Sequence, residues 1–289
     1  MNYRINAALA IGRRRLLEAF IHPGYYVALA VSLAIGFAFV TGFVRSIDSS
    51  GFDYRLTSLY AFAGGILSGA FGDGVVANTF ADGPYLFATN IAFLPVLLYL
   101  SMTSVYRFGT EKASGTIELL TYGPSDGTSY FLGSILKDMV LTVGTLLIFI
   151  LFFALSAAVD NLALTQKLVS STVLLLFVSL AVYSYGVLVS VLTDSASAGL
   201  ALFMSGQVVL ALSLIGSYAI VTGYVQSLST VAAWVIQWFS PFYYWSLGTR
   251  ASIGHDAVEY AIGVAGLATL STVLLVASHY IIRFRGVRP

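Results

Sequence analysis

The sequence predicts an all-α integral membrane protein. Hydrophobic residues make up 58% of its 289 residues, and charged residues only 9%. The mean hydropathy of +0.88 lies far outside the range of soluble domains. A third observation is a series of long apolar stretches that are nearly free of charge. We predict six transmembrane helices, an N-terminal amphipathic interfacial helix and a short helix in the largest cytoplasmic loop.

Six stretches have the length that a membrane span requires. A hydrocarbon core about 30 Å thick needs about 20 apolar residues in an α-helix. The predicted spans are 25–44, 85–106, 139–159, 168–192, 198–222 and 257–282. The first five contain no ionisable Asp, Glu, Lys, Arg or His within these limits, and the sixth carries Glu259 and His279 near its ends. Residues 1–289 are predicted to form a single transmembrane domain.

Two further apolar stretches, 59–80 and 228–247, are ambiguous, and the positive-inside rule decides between the topologies. With six spans and the N-terminus inside, ten of the 14 basic residues are cytoplasmic and four are external. Counting either or both extra stretches as spans leaves at most eight inside. We therefore expect a multi-pass protein of the inner, or cytoplasmic, cell membrane with both termini in the cytoplasm.

The first element, residues 1–23, is typical of a cytoplasmic amphipathic helix. Its apolar positions recur at helical spacing, at Ile5, Leu9, Gly12, Leu16 and Phe20. The three consecutive arginines at positions 13–15 can bind lipid headgroups or a partner. An orientation signal is the alternative interpretation.

The external segments, 45–84 and 223–256, carry different signals. The apolar part of the first contains Asp73, Asn78 and five glycines, which favours a short interfacial helix and loops. The second contains all three tryptophans, and its proline interrupts any continuous helix. We expect an outer aromatic belt or a lid over a transport path. Its candidate functional residues are Trp238, Pro241, Phe242 and Arg250.

The sequence also excludes several functions. Without cysteine, neither a disulfide nor a thiolate metal site can form. The dipeptide Gly-Lys does not occur, so the chain has no P-loop with which to bind ATP by itself. Ion-coupled transport generally places an ionisable residue inside the bilayer, and the first five predicted spans contain none. The energy for any transport is therefore expected to come from outside the membrane. We predict no catalytic residue, metal or cofactor in this chain and no nucleic-acid partner.

Residues 107–138 form the one predicted cytoplasmic connection large enough to receive that energy. Within it, Ala113, Ile117 and Leu120 can share one face of a short helix. The carboxylates at positions 111 and 118 lie one heptad apart on another face. A short amphipathic helix with carboxylates suits docking into a groove of a soluble partner.

This loop resembles the first cytoplasmic loop of ABC-2 type transporter permeases. The shared pattern is E-x-x-x-G-T-[IL]-E-L-L, a Pro-Ser turn and an apolar helix with glycine. In this chain the matching positions are Glu111, Gly115, Thr116, Ile117, Glu118, Leu119, Leu120, Pro124, Ser125 and Gly133. Ser240-Pro241-Phe242 followed by Arg250 is similar to the outer segment of one subgroup. Relatives often have a lysine directly after the final glycine, where this chain has Ser134.

The resemblance implies a permease driven by cytoplasmic ATPase subunits that bind Mg-ATP, with two permease subunits, identical or related, in the complex. Export is the usual direction. A coupling helix would pass the ATPase movement to the second and third spans. Its residues would be Glu111, Lys112, Gly115, Thr116, Ile117, Glu118, Leu119 and Leu120.

The second and fifth spans tend to line the central path in this family. The polar residues they offer are Asn90, Thr103, Ser104, Ser205 and Gln207. Hydrogen bonding between membrane helices is the alternative role for each of them. Two other functions fit the same sequence: an ATP-driven complex that moves an external partner protein without transport, and a membrane scaffold or channel with no ATPase.

Overall fold

The computed structural model describes residues 2–48, 51–62, 80, 83–115, 127–221 and 237–285. These residues are almost entirely helical, which confirms the all-α class. The helices are α1 (Asn2–Ile21), α2 (Pro23–Arg45), α3 (Tyr85–Ala113), α4 (Gly127–Asp160), α5 (Gln166–Leu192), α6 (Ala196–Val221), α7 (Pro241–Gly254) and α8 (Ala257–Arg285). After α2, a two-residue strand β1 (Ile47–Asp48) pairs antiparallel with β2 (Gly51–Phe52), and a single 3₁₀ turn (Tyr54–Leu56) follows.

Five of the described helices are long and apolar enough to cross a membrane, namely α2, α3, α4, α5 and α8. The remaining predicted span, 198–222, falls on α6, whose apolar part among the described side chains is the shorter Ala196–Leu212. The whole of α6 has 26 residues, or about 39 Å at 1.5 Å per residue. The sixth crossing therefore stays a prediction.

The predicted loop 107–138 is helical at both ends, so the connection between the second and third predicted spans is shorter than expected. The first helix, α3, continues to Ala113, and α4 already begins at Gly127. Hydropathy placed the limits of the spans where the first charges occur. The helices continue past those limits because their charged side chains find partners within the protein, as described below.

A single residue separates α1 from α2 and sets the angle between them. His22 has extended backbone angles, and its Nδ1 accepts a hydrogen bond from the Gly24 backbone N–H at 3.1 Å. Pro23 follows as the first helical residue, a position that needs no backbone donor. The N-terminal helix α1 is thus joined directly to the first predicted span, α2.

In the predicted second external segment, 223–256, the structure has a helix that the sequence did not predict, α7, and it forms a helical hairpin with α8, the predicted sixth span. The predicted break in the helix occurs at Ser240, and Pro241 begins α7 as its first residue. The hairpin turns at His255, which has a φ of 58°. Asp256 then caps α8, since its Oδ1 accepts hydrogen bonds from two backbone N–H groups of the first turn.

The first predicted external segment is held against α2 by a fully buried tyrosine. The hydroxyl of Tyr60 donates to the Phe39 carbonyl at 2.9 Å. Its ring makes edge contacts with Phe39 and Phe80, at centroid distances of 5.7 and 5.2 Å. Burial raises the pKa of the Tyr60 hydroxyl above its ordinary value. Residues 63–79, with the predicted interfacial glycines, lie outside the described residues.

The N-terminal helix packs tightly on the start of α4, and two glycines allow the close approach. An added Cβ at Gly133 would lie 2.8 Å from the Ala8 carbonyl oxygen, and one at Gly12 would lie 3.2 Å from the Gly133 oxygen. Small residues permit such backbone contact between helices. Gly12 therefore faces the protein, whereas Ile5, Leu9 and Phe20 of the same predicted stripe are exposed.

We expect Gly133→Val to destabilise the protein by about 1–3 kcal/mol, because overpacking a close helix contact forces the backbones apart. The matched control is Gly144→Ala on the same helix, where an added Cβ meets no atom within 4 Å. That control should keep or slightly raise the unfolding temperature in detergent. Equal unfolding temperatures for the two variants would contradict the packing described for α1.

Candidate functional site

A buried arginine joins the N-terminal helix to two predicted spans. Arg15 of α1 is only 8% exposed. Its guanidinium forms an ion pair with Glu111 of α3 and donates to the Tyr130 hydroxyl and, at 2.5 Å, to Ser134 Oγ of α4. Its Cζ also lies 4.4 Å from the centroid of the Tyr130 ring. The planar guanidinium has enough donors to hold all these groups at once. We call this group of four residues the arginine junction.

The two α4 residues of the junction begin a line of polar side chains along that helix. The α4 polar stripe consists of Tyr130, Ser134, Asp138, Thr142 and Thr145. Their spacing of three or four residues places them on one helical face, and all five are buried. The stripe meets a different helix at each level, so it bonds α4 to α1, α2, α3 and α5.

The inner part of the stripe bonds to three further helices. Ser104 of α3 donates to Asp138 Oδ2 at 2.7 Å. The hydroxyls of Thr142 and Tyr183, the latter on α5, lie 2.8 Å apart. Thr145 and Tyr25 of α2 are hydrogen bonded at 3.0 Å. Side-chain hydrogen bonds of this kind join helices where water is absent.

Asp138 also forms a buried ion pair with its neighbour Lys137. The side chains are 1% and 4% exposed, and Lys137 Nζ lies 2.7 Å from Asp138 Oδ1. The two groups are close but not aligned for a hydrogen bond, so the contact is mainly electrostatic. A buried charge is costly unless it is paired. The predicted loop 107–138 includes this pair, whereas the structure places it well inside α4.

A second ion pair fixes the register of α1 against α3. Arg107 of α3 lies 3.2 Å from Glu18 of α1, which also pairs with Arg14 at 3.1 Å. Arg15 and Glu18 thus face Glu111 and Arg107 with opposite charges in each pair. The side chains of Glu18 and Arg107 are 42% and 30% exposed, so this pair contributes less stability than the arginine junction.

Lys112 binds the end of α5. Its Nζ donates to the carbonyl of Thr193 at 2.7 Å and to that of Val191 at 3.3 Å, and it pairs with Asp194 at 3.3 Å. The last carbonyls of a helix lack intrahelical partners and attract a cation. The last turn of α3 thus holds α1, α4 and α5 together.

The predicted coupling helix is interrupted where the structure describes it. Glu111 and Lys112 belong to the last turn of α3, which is capped at Ser114, and Gly115 has a φ of 69°. A continuous helical face from Ala113 to Ile117 is therefore wrong, because a left-handed residue ends the helix between them. The coupling candidates Thr116, Ile117, Glu118, Leu119 and Leu120 lie outside the described residues.

The predicted path residues divide into two groups. Asn90 and Ser104 bond to other helices, Asn90 through Ser171 and Trp245. Thr103 and Ser205 donate to carbonyls of their own helices. Gln207 is buried, and its Oε1 has no hydrogen-bond partner among the described residues. A path lined by these side chains stays a prediction.

The candidate residues of the external segment lie in and just before α7. Trp238 and Arg250 are exposed, and Pro241 is buried. The ring of Phe242 lies 6.1 Å from that of Trp245, centroid to centroid. Their roles as an aromatic belt or lid stay predictions.

We expect Glu111→Gln to lower the free energy of unfolding by about 1–3 kcal/mol, because it leaves a buried guanidinium without its counter-charge. Glu18→Gln makes the same chemical change in the more exposed pair and should cost less than about 1 kcal/mol. Thermal unfolding in detergent compares the two. A loss for Glu18→Gln as large as that for Glu111→Gln would show that burial does not distinguish the pairs.

Comparison with known proteins agrees with this architecture. Residues 76–280, more than half of the chain, match the family described as ABC-2 family transporter protein. Neither the curated proteins nor the solved structures gave a match. The matched part includes α3 to α7, with the whole polar stripe and Glu111, but not Arg15. The chain therefore belongs to the ABC-2 transporter family and is a multi-pass membrane protein of the kind that forms the transmembrane component of an ABC transporter.

Proposed function

We propose that this chain is the permease subunit of an ATP-driven exporter, which couples a separate ATPase subunit to movement of substrate across the cell membrane. The arginine junction is the observation that supports the coupling role most directly. It joins α3 and α4 beside the connection that runs from 116 to 126 between them. Force applied to that connection reaches both helices together.

The polar stripe extends this argument into the membrane. Because Asp138 bonds to Ser104, α3 and α4 are tied at a second level beyond the junction. Thr142 and Thr145 then link α4 to α5 and α2. A push at the cytoplasmic end is therefore expected to move together the parts of these helices that the stripe joins, and not to separate α3 from α4 there.

The partners follow from the proposed role. The ATPase subunits bind Mg-ATP on the cytoplasmic side, where the topology prediction places ten of 14 basic residues. A second permease subunit, the same chain or a related one, completes the membrane part. Both termini lie in the cytoplasm, and the protein resides in the inner, or cytoplasmic, membrane.

The first test is purification of the tagged chain from its native membranes in mild detergent. A soluble chain with a P-loop should copurify in stoichiometric amounts, and its ATPase activity should change when the permease is removed. Reproducible recovery of the folded chain without an ATPase would contradict the proposal and favour a scaffold or channel.

Within that complex we expect Glu118→Ala to reduce permease-dependent ATPase activity several-fold without lowering the unfolding temperature, because its predicted role is to contact the ATPase. Glu111→Ala should reduce both quantities, since Glu111 pairs with Arg15 inside the permease. The matched control is Glu259→Ala, an exposed carboxylate on the predicted external face. Wild-type coupling in the Glu118 variant, or an equal loss in the Glu259 variant, would contradict the assignment of the coupling element.

A further inference from the structure

A second buried junction lies toward the opposite end of α3 and joins it to the hairpin of α7 and α8. Asn90 of α3 is 7% exposed. Its Nδ2 donates to the Leu86 carbonyl at 2.7 Å and to Ser171 Oγ of α5 at 3.1 Å. Its Oδ1 accepts from the indole N–H of Trp245 on α7 at 2.9 Å. We call Asn90, Ser171 and Trp245 the outer junction.

All polar groups of the Asn90 amide are used in this junction. The two N–H donors and the carbonyl oxygen each have a partner on a different part of the protein. Breaking the indole bond would leave a buried acceptor and a half-buried donor unpaired, which is unfavourable in apolar surroundings. The bond from Trp245 to Asn90 is therefore expected to persist when α3 moves.

The rest of α7 is packed on α5 and α8, and glycines make these contacts close. An added Cβ at Gly248 of α7 would lie 2.7 Å from Leu174 Cδ1 of α5, and one at Gly263 of α8 would lie 3.0 Å from the Gly248 nitrogen. The hairpin of α7 and α8 is thus expected to move as one unit. Trp245 forms a hydrogen bond from this unit to α3.

A proline separates the outer junction from the cytoplasmic end of α3, so a bend at the proline would move the junction. Pro95 lies inside α3, five positions after Asn90 in the sequence. It lacks the N–H that would bond the carbonyl of residue 91, so the helix bends most easily there. A change of that bend, driven from the cytoplasmic end, would swing Asn90 and the indole bonded to it.

We infer that Trp245 is a positioning residue whose hydrogen bond to Asn90 transmits movement of α3 to the α7–α8 hairpin on the external face. This inference rests on the proposed function, because the ATPase supplies the movement. It assigns the external segment an active role in the cycle. An aromatic belt that only marks the membrane boundary has no such role.

Spin-label distances in the complete complex test the inference. The chain has no cysteine, so labels can be placed at two introduced cysteines in an otherwise unchanged background. Gly254→Cys, at the end of α7 where an added Cβ meets no atom within 4 Å, and Val159→Cys, at the exposed outer end of α4, form the reporter pair. The distance between them is compared without nucleotide and with a non-hydrolysable ATP analogue.

With the wild-type junction we expect the nucleotide to change this distance. In Trp245→Phe, which keeps the aromatic ring but removes the N–H, the change should fall to less than half while permease-dependent ATPase activity remains. The double variant Asn90→Leu with Trp245→Phe removes both partners, so it should reverse any decrease in unfolding temperature that Trp245→Phe alone causes. It should still lack the distance change.

The outcomes separate the two proposals. A full distance change in Trp245→Phe, or its return in the double variant, would overturn the inference, as would a wild-type complex with permease-dependent ATPase activity but no change in distance. A wild-type complex in which the permease has no effect on the ATPase would overturn the proposed function and, with it, the inference.

Discussion

The structure depends on the polar stripe of α4. Five buried polar side chains follow one face of this helix, and each is bonded to α1, α2, α3 or α5. In a membrane, apolar surface gives no net drive for helices to associate, so packing and interhelical hydrogen bonds have to hold them. The stripe supplies those bonds at successive depths. The ion pair of Lys137 and Asp138 makes it electrically neutral at its centre.

The arginine junction extends the stripe beyond the spans. Residues 76–280 carry the family match, whereas Arg15 lies before it. The N-terminal helix is nevertheless bonded to the matched region at Glu111, Tyr130 and Ser134. Ser134, which directly follows Gly133, accepts a hydrogen bond from Arg15. A lysine at that position would place a second cation beside the guanidinium. A serine there is compatible with the buried arginine because it is neutral and accepts its hydrogen bond.

Much of the fold could be predicted from local properties of the sequence. Apolar length predicted five helices that can span a membrane, and helical spacing predicted α1, because both depend on residues close together in the chain. The polar stripe was missed although its spacing is visible in the sequence. The predicted span began at residue 139, so Asp138 was counted with the loop. Ser104 and Tyr183, the partners of Asp138 and Thr142, are distant from them in sequence, and no local pattern identifies them.

The other differences have equally local causes. Gly115 was taken as part of a helix, whereas its positive φ ends α3. Pro241 interrupts the helix as predicted, since Ser240 before it is not helical, but it also begins α7, because a proline is well suited to the first turn of a helix. The role of Glu111 could not be assigned from sequence, since a carboxylate near a helix end suits a partner protein and an internal arginine equally. Burial of Arg15 is what separates these alternatives.

The most direct test of the central role of the stripe is the unfolding temperature of Asp138→Asn in detergent. Because this change leaves Lys137 buried without its counter-charge, we expect the free energy of unfolding to fall by about 3–5 kcal/mol and the unfolding temperature to fall with it. Lys137→Met combined with Asp138→Asn should recover much of that stability. Asp160→Asn, at the partly exposed other end of α4, should cost less than about 1 kcal/mol. Equal and small effects of Asp138→Asn and Asp160→Asn would contradict the account.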